Sequence, residues 1–140
     1  MKKLILVVSA MALAILACGG GAPSANTAAQ RNPCTGALEY LTAADGIANG
    51  LATDSGAWLA NPGYYADQYA RAERAFRGLT PPPAFVESHN QAIAGLREVR
   101  LGLEAWDRGD VNATLSHMDR AVPLLEGAAE LLEIASDQCK

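Results

Sequence analysis

The chain has 140 residues, half of them hydrophobic, and a formal net charge of −4 at pH 7. This length suits one domain with its own core and is too short for two. The acidic balance disfavours a nucleic-acid partner, because phosphates require a basic surface. It also disfavours electrostatic docking on anionic lipid.

Residues 1–17 have the charge and length of a secretory signal peptide. Lys2 and Lys3 precede an apolar stretch of 14 residues from Leu4 to Ala17. That stretch is shorter than the ~20 residues of a membrane-spanning helix, and it matches the apolar core of an export signal. We therefore expect residues 1–17 to direct export.

The end of this stretch, Ile15-Leu16-Ala17-Cys18, resembles the lipobox of bacterial lipoproteins. The resemblance covers residues 1–18. It implies cleavage before Cys18, diacylglycerol on the Cys18 sulfur and acylation of the new amino group. It also implies a protein held by lipid on the outer face of the cell membrane, or in the outer membrane if the host has one. Residues 34–139 resemble no family of assigned function.

Residues 18–33 are predicted to be the lipidated cysteine and a flexible tether. Gly, Pro, Ser, Asn and Ala dominate this segment, and residues 19–33 contain no large apolar side chain. Such a sequence cannot offset the entropy lost on ordering. Without residues 1–17 the chain keeps 9 basic against 15 acidic side chains, a net charge of about −6. The lipid is therefore the expected membrane anchor.

If Cys18 carries lipid, Cys34 and Cys139 remain as a pair of cysteines in an exported protein. Disulfides persist in that compartment, so we predict a Cys34–Cys139 bond. The alternative is two free thiols.

From Cys34 onward, apolar residues recur in steps of three and four, which is the spacing of one helix face. The two longest stripes are Phe85, His89, Ala92, Leu96, Val99, Leu103, Trp106, and Val111, Leu115, Met118, Val122, Leu125, Ala129, Leu132, Ser136, Cys139. A weaker first stripe is interrupted by Gly46 and Gly50, each of which costs ~1 kcal/mol relative to alanine.

Four helices are predicted, at about 35–59, 62–78, 83–108 and 111–138. Their connections are short, so consecutive helices should be antiparallel. The predicted fold is an all-α, up-down-up-down four-helix bundle over residues 34–140. In that topology Cys34 and Cys139 lie at the same end, which agrees with a disulfide between them.

The same topology gathers four aromatic residues at the end opposite the disulfide, namely Trp58, Tyr64, Tyr65 and Trp106. We call this end the distal pole. Tryptophan and tyrosine often anchor interfaces, so the distal pole is a candidate partner-contact surface. The alternative is that these aromatic side chains close the end of the core.

The sequence offers little for catalysis or metal binding. His89 lies on a core stripe, where it is either a ligand or a buried histidine bonded to a nearby carboxylate, with Glu73 and Glu133 at a similar height. His117 lies roughly 18 Å away along the bundle at 1.5 Å per residue, so the two histidines cannot share a metal. No hydrolase or zinc-protease motif occurs. We predict no enzyme activity, no metal and no cofactor besides the lipid on Cys18.

Two functions remain. The first is a membrane-anchored, non-enzymatic interaction or accessory module of the cell envelope, with an unknown envelope protein as partner. The second is a binding module that holds a small apolar ligand or a cation within the helical bundle.

Overall fold

The structure, a computed structural model, describes residues 32–51 and 55–140. The predicted signal peptide, Cys18 and the tether up to residue 31 lie outside the described residues. All regular structure within the described part is helical. Its helices are α1 Ala37–Asn49, α2 Ser55–Ala60, α3 Pro62–Arg77, α4 Val86–Asp107 and α5 Val111–Gln138, with a 3-10 turn at Pro83–Phe85 before α4.

The prediction of an all-helical domain is confirmed, but the first predicted helix, 35–59, is wrong in its extent. α1 ends at Asn49, and α2 is a separate helix of 6 residues. The described part therefore has five helices. Gly50 caps α1, and the chain tightens there through a hydrogen bond from the Gly50 N–H to the Ile47 carbonyl (3.2 Å). Because Gly46 and Gly50 both weaken this helix, it ends well before residue 59.

The turn between α4 and α5 is built by Gly109 and Asp110. Gly109 has a φ of 75°, a left-handed conformation that glycine adopts without strain. The Asp110 carboxylate then accepts the Ala113 N–H at 2.9 Å, which caps the start of α5. Local chemistry thus ends one helix and starts the next at the predicted positions.

α4 is the central helix, because both α3 and α5 pack along it. Small residues let α4 and α5 approach closely: Gly95 faces Leu125, and Gly102 faces Met118. From Gly95 to Gly102 the residue number on α4 rises, while the facing residue on α5 falls from Leu125 to Met118. The two helices therefore run in opposite directions. In the sequence, the buried residues of the core cluster run from Tyr40 to Ala135.

This close approach predicts opposite effects for two glycine-to-alanine substitutions. A Cβ on Gly95 would lie 2.6 Å from Leu125 Cδ2, whereas a Cβ on Gly46 would meet nothing within 4 Å. We expect Gly95→Ala to lower the free energy of unfolding by about 1–2 kcal/mol, since overpacking outweighs the gain in helix propensity. Gly46→Ala should raise it by up to ~1 kcal/mol. Urea unfolding measures both, and stabilisation by Gly95→Ala would contradict the close packing.

The predicted disulfide is confirmed. Cys34 and Cys139 are bonded, with their Cα atoms 5.3 Å apart. The bond ties the turn before α1 to the residue that follows α5. Within the described residues, no helix combines the length and the apolar character needed to cross a bilayer.

Candidate functional site

The distal pole is built where α2 and the start of α3 meet the end of α4. A Cβ built on Gly63 would lie 3.6 Å from the Asp107 carboxylate, so the first turn of α3 lies against the last turn of α4. α2 packs on α3. Tyr64 and Tyr65 form an edge-to-face pair with ring centroids 5.2 Å apart. The pole therefore collects side chains from three helices.

The four predicted aromatic residues divide between core and surface. Trp58 is only 8 % exposed and meets the Tyr69 ring edge-on at 5.7 Å. Tyr65 packs against the core and Trp106 is half-buried. Tyr64 is 51 % exposed. Trp58 thus closes the core, whereas Tyr64 presents an aromatic face to solvent.

Three further apolar side chains are exposed toward this end of the domain, on α2 and on the start of α5: Leu59, Val111 and Leu115, at 52 %, 50 % and 58 %. Together with Tyr64 we call them the distal patch. Leu59 lies on α2, and Val111 and Leu115 lie on the first two turns of α5. Several large apolar side chains exposed toward the same end of a small domain are informative, whereas single exposed ones are ordinary.

The sequence prediction put Val111 and Leu115 on the core stripe of the last helix, and it was wrong. The predicted first helix would have run beside that stripe, but α1 ends at Asn49. The first buried residue of α5 is Ala121. Gly46 and Gly50, which interrupt the first stripe, were the sequence signal that the first helix would end early.

A second cluster lies near the disulfide end, around His89. His89 is buried, and its Nδ1 lies 3.2 Å from the Tyr40 Oη in a hydrogen bond whose direction depends on the tautomer. The rings of Tyr40 and Phe76 flank the imidazole at centroid distances of 5.8 and 6.2 Å. Burial lowers the pKa of His89 and raises the pKa of Tyr40 to about 12. Both groups are therefore neutral at pH 7.

The expectation of a carboxylate partner for His89 was wrong. Glu73 instead accepts hydrogen bonds from Arg77 at 2.8 Å and from Arg100 at 3.2 Å. Burial alone would raise the pKa of Glu73, but the two guanidinium groups outweigh it and hold that pKa below its usual value. The predicted helix positions placed Glu73 at about the same height as His89. They did not show that the Glu73 carboxylate points toward Arg77 and Arg100 instead.

His117 belongs to a separate, more exposed cluster on α4 and α5. Its Nδ1 lies 2.8 Å from a Glu98 carboxylate oxygen and 2.7 Å from a nitrogen of Arg120. One nitrogen cannot donate to Glu98 and accept from Arg120 in the same protonation state, so only one of these contacts is a hydrogen bond at a time. Arg120 also donates to Glu98 at 2.9 Å, which ties the two helices together.

Within residues 32–51 and 55–140, no group of three or more His, Cys, Asp or Glu side chains is arranged to hold a metal ion. The acidic side chains of α5, Glu126, Glu130, Glu133 and Asp137, are all exposed. They therefore form a solvated flank of the helix.

The free energy of unfolding should fall in acid, and the buried imidazole of His89 is one cause of this fall. The unfolded imidazole takes up a proton near pH 6.5, whereas the buried one requires a lower pH. The unfolded state therefore binds more protons below pH 6.5, and stability falls as the pH falls. Glu73 acts in the same direction at lower pH, because its folded pKa is depressed.

The measurement is the urea midpoint between pH 7 and pH 5. We expect a fall for the wild-type chain and a flatter profile for His89→Gln, which keeps a polar partner for Tyr40 but cannot titrate. Identical profiles for the two chains would show that His89 contributes nothing to the pH dependence.

Comparison of the chain with protein-family models, with curated proteins and with solved structures gives no match in any of the three.

Proposed function

We propose that the protein is a membrane-anchored lipoprotein of the bacterial cell envelope and acts as a non-enzymatic interaction module. Lipid on Cys18 holds one end, and the distal patch contacts a protein partner at the other. The single observation that carries the second half is the exposure of Tyr64, Val111 and Leu115 at one pole of the domain. Exposed apolar and aromatic side chains gathered together are typical of partner-contact surfaces.

The orientation rests on an up-down-up-down arrangement of the long helices, which we propose as the topology. Two contacts for each helix pair support it. Gly95 faces Leu125 and Gly102 faces Met118 between α4 and α5. Gly63 faces Asp107 and Phe76 lies beside His89 between α3 and α4. The disulfide joins the start of α1 to the end of α5. The tether enters at that end, so the distal patch faces away from the membrane.

A binding surface of this size suits a weak or transient contact. Four exposed apolar side chains cannot bury the area of a permanent interface, which exceeds about 1,000 Å². The net charge of about −6 on the exported form keeps copies of this chain apart. A different protein is therefore a better partner than a second copy.

Anchoring is tested by Cys18→Ser. The wild-type protein should fractionate with membranes and incorporate a labelled fatty acid, and the variant should do neither. Ala17→Gly, which keeps a small residue before the cysteine, is the matched control and should remain in the membrane fraction. Membrane retention of Cys18→Ser would contradict the lipid anchor.

The contact surface is tested by co-purification from detergent-solubilised envelopes. Tyr64→Ser with Leu115→Ser should lose a partner that the wild-type chain retains. Val86→Ser with Ile134→Ser changes two exposed apolar residues near the disulfide end and is the control. Loss of the partner from the control pair but not from the distal pair would place the contact elsewhere.

A further inference from the structure

A cleft of about 550 Å³ opens at the disulfide end of the domain. One wall is the turn around Cys34 with the start of α1, and the other is the segment that links α3 to α4. Its lining includes Thr35, Glu39, Tyr40, Leu79, Pro81 and Pro82. This volume lies in the range of small-molecule sites, roughly 300–1,000 Å³. The cleft borders the bundle core through Tyr40 and lies at the end opposite the distal patch.

Covalent and hydrogen-bonded links hold the two walls in place. The Ala84 N–H donates to the Pro33 carbonyl at 3.3 Å, which joins one wall directly to the other. The Asn32 side chain accepts the Cys34 N–H at 3.0 Å, and Cys34 is bonded to Cys139. Three consecutive prolines, 81–83, fix the backbone of the second wall. A preformed cleft loses little entropy on binding.

Tyr40 gives the cleft an ordered apolar side. Tyr40 lines the cleft with the 6 % of its surface that is exposed. Its hydroxyl lies within hydrogen-bonding distance of His89, and its ring packs on Phe85 at a centroid distance of 5.4 Å. The phenol hydroxyl is therefore engaged on the core side, and the ring with Leu79 and the prolines supplies apolar surface. An apolar body of a ligand gains most from such a lining.

Charge determines the rest of the ligand's chemistry. Among the described residues that line the cleft, Glu39 in the first turn of α1 is the one charged side chain. We propose that the cleft binds a small organic cation with an apolar body, its ammonium group beside Glu39 and its body against Tyr40 and the prolines. An anion of the same shape is repelled by Glu39. This inference is independent of the distal patch.

Three probes of nearly equal shape test the charge requirement: phenethylamine, 2-phenylethanol and phenylacetate. They are titrated into the soluble exported chain, residues 19–140, which contains the whole core cluster and the disulfide. Amide chemical shifts of residues 34–43 report binding at the first wall, and those of Leu79, Thr80 and Ala84 report it at the second, since the prolines have no amide proton. We expect millimolar affinity for the amine, about fivefold tighter than for the alcohol, which equals about 1 kcal/mol for one solvent-exposed charge pair. Phenylacetate should bind weakest.

Two matched variants complete the test. Glu39→Gln should bring the amine and the alcohol to the same affinity. Glu87→Gln removes the first-turn glutamate of α4, which does not line the cleft, and should preserve the fivefold difference. Three results would each overturn the proposal. The amine and the alcohol bind the wild-type chain with equal affinity, the difference between them persists in Glu39→Gln, or neither wall of the cleft shows amide shift changes.

Discussion

Replacing both Cys34 and Cys139 by serine is expected to lower the free energy of unfolding by about 2–5 kcal/mol. The bond spans 105 residues, nearly the whole described chain. In the chain-entropy model a loop of about 100 residues corresponds to an upper figure of ~4.7 kcal/mol, because the cross-link removes conformations mainly from the unfolded state. A domain of this size has a total stability of only about 5–15 kcal/mol, so the loss is a large share.

Guanidinium unfolding with and without reductant makes this measurement. The wild-type midpoint should fall on reduction, and the reduced wild-type protein should match the double serine variant. The variant itself should not respond to reductant. If the variant unfolds at the wild-type midpoint in the absence of reductant, the bond does not stabilise the domain.

The second large effect separates the two kinds of aromatic residue at the distal pole. Trp58→Ala is expected to lower the free energy of unfolding by about 3–5 kcal/mol, because it removes a buried indole and leaves a cavity beside Tyr69. Tyr64→Ala should lower it by less than about 1 kcal/mol, since Tyr64 is half exposed and loses only its edge contact with Tyr65.

Thermal and urea unfolding of the two variants compare these costs, and partner retention is measured in parallel. Tyr64→Ala should weaken retention of the partner while the domain stays folded. If Tyr64→Ala destabilises the fold as much as Trp58→Ala, both residues belong to the core and the distal pole merely closes the bundle.

Local signals in the sequence were sufficient for most helix boundaries. Gly109 and Asp110 mark the turn before α5 through a left-handed glycine and a capping carboxylate, and both act within a few residues. The helix from 111 to 138 was predicted with the bounds that the structure has. The Cys34–Cys139 pair was predictable on the expectation that Cys18 carries lipid, which left two cysteines to be paired.

Features that depend on long-range packing were missed. The apolar period of α5 continues to Val111, but a stripe is buried only where another helix covers it, and α1 ends too early to do so. The partner of His89 was missed for a related reason. The position of His89 within its predicted helix gives its height along the bundle. Its contact with Tyr40 depends in addition on how α1 is rotated and placed against that helix.

The cleft beside Tyr40 was likewise beyond prediction. It forms where the Ala84–Pro33 hydrogen bond joins two segments that are far apart in the chain. The sequence-based alternative put a ligand within the bundle, whereas the cleft lies at its end. The distal pole was predicted as a location, but its exposed members were not, apart from Tyr64.

The lipid-anchored protein is expected to present its distal patch to a protein partner. Site-specific photocrosslinking in intact cells tests it most directly, with a photoreactive phenylalanine analogue in place of Tyr64 or Leu115. Leu38 and Ile134, which are exposed apolar residues toward the disulfide end, are the control positions. Discrete protein adducts from positions 64 and 115, and none from 38 and 134, are the predicted result. Adducts from 38 and 134 alone, or from no position, would contradict the claim.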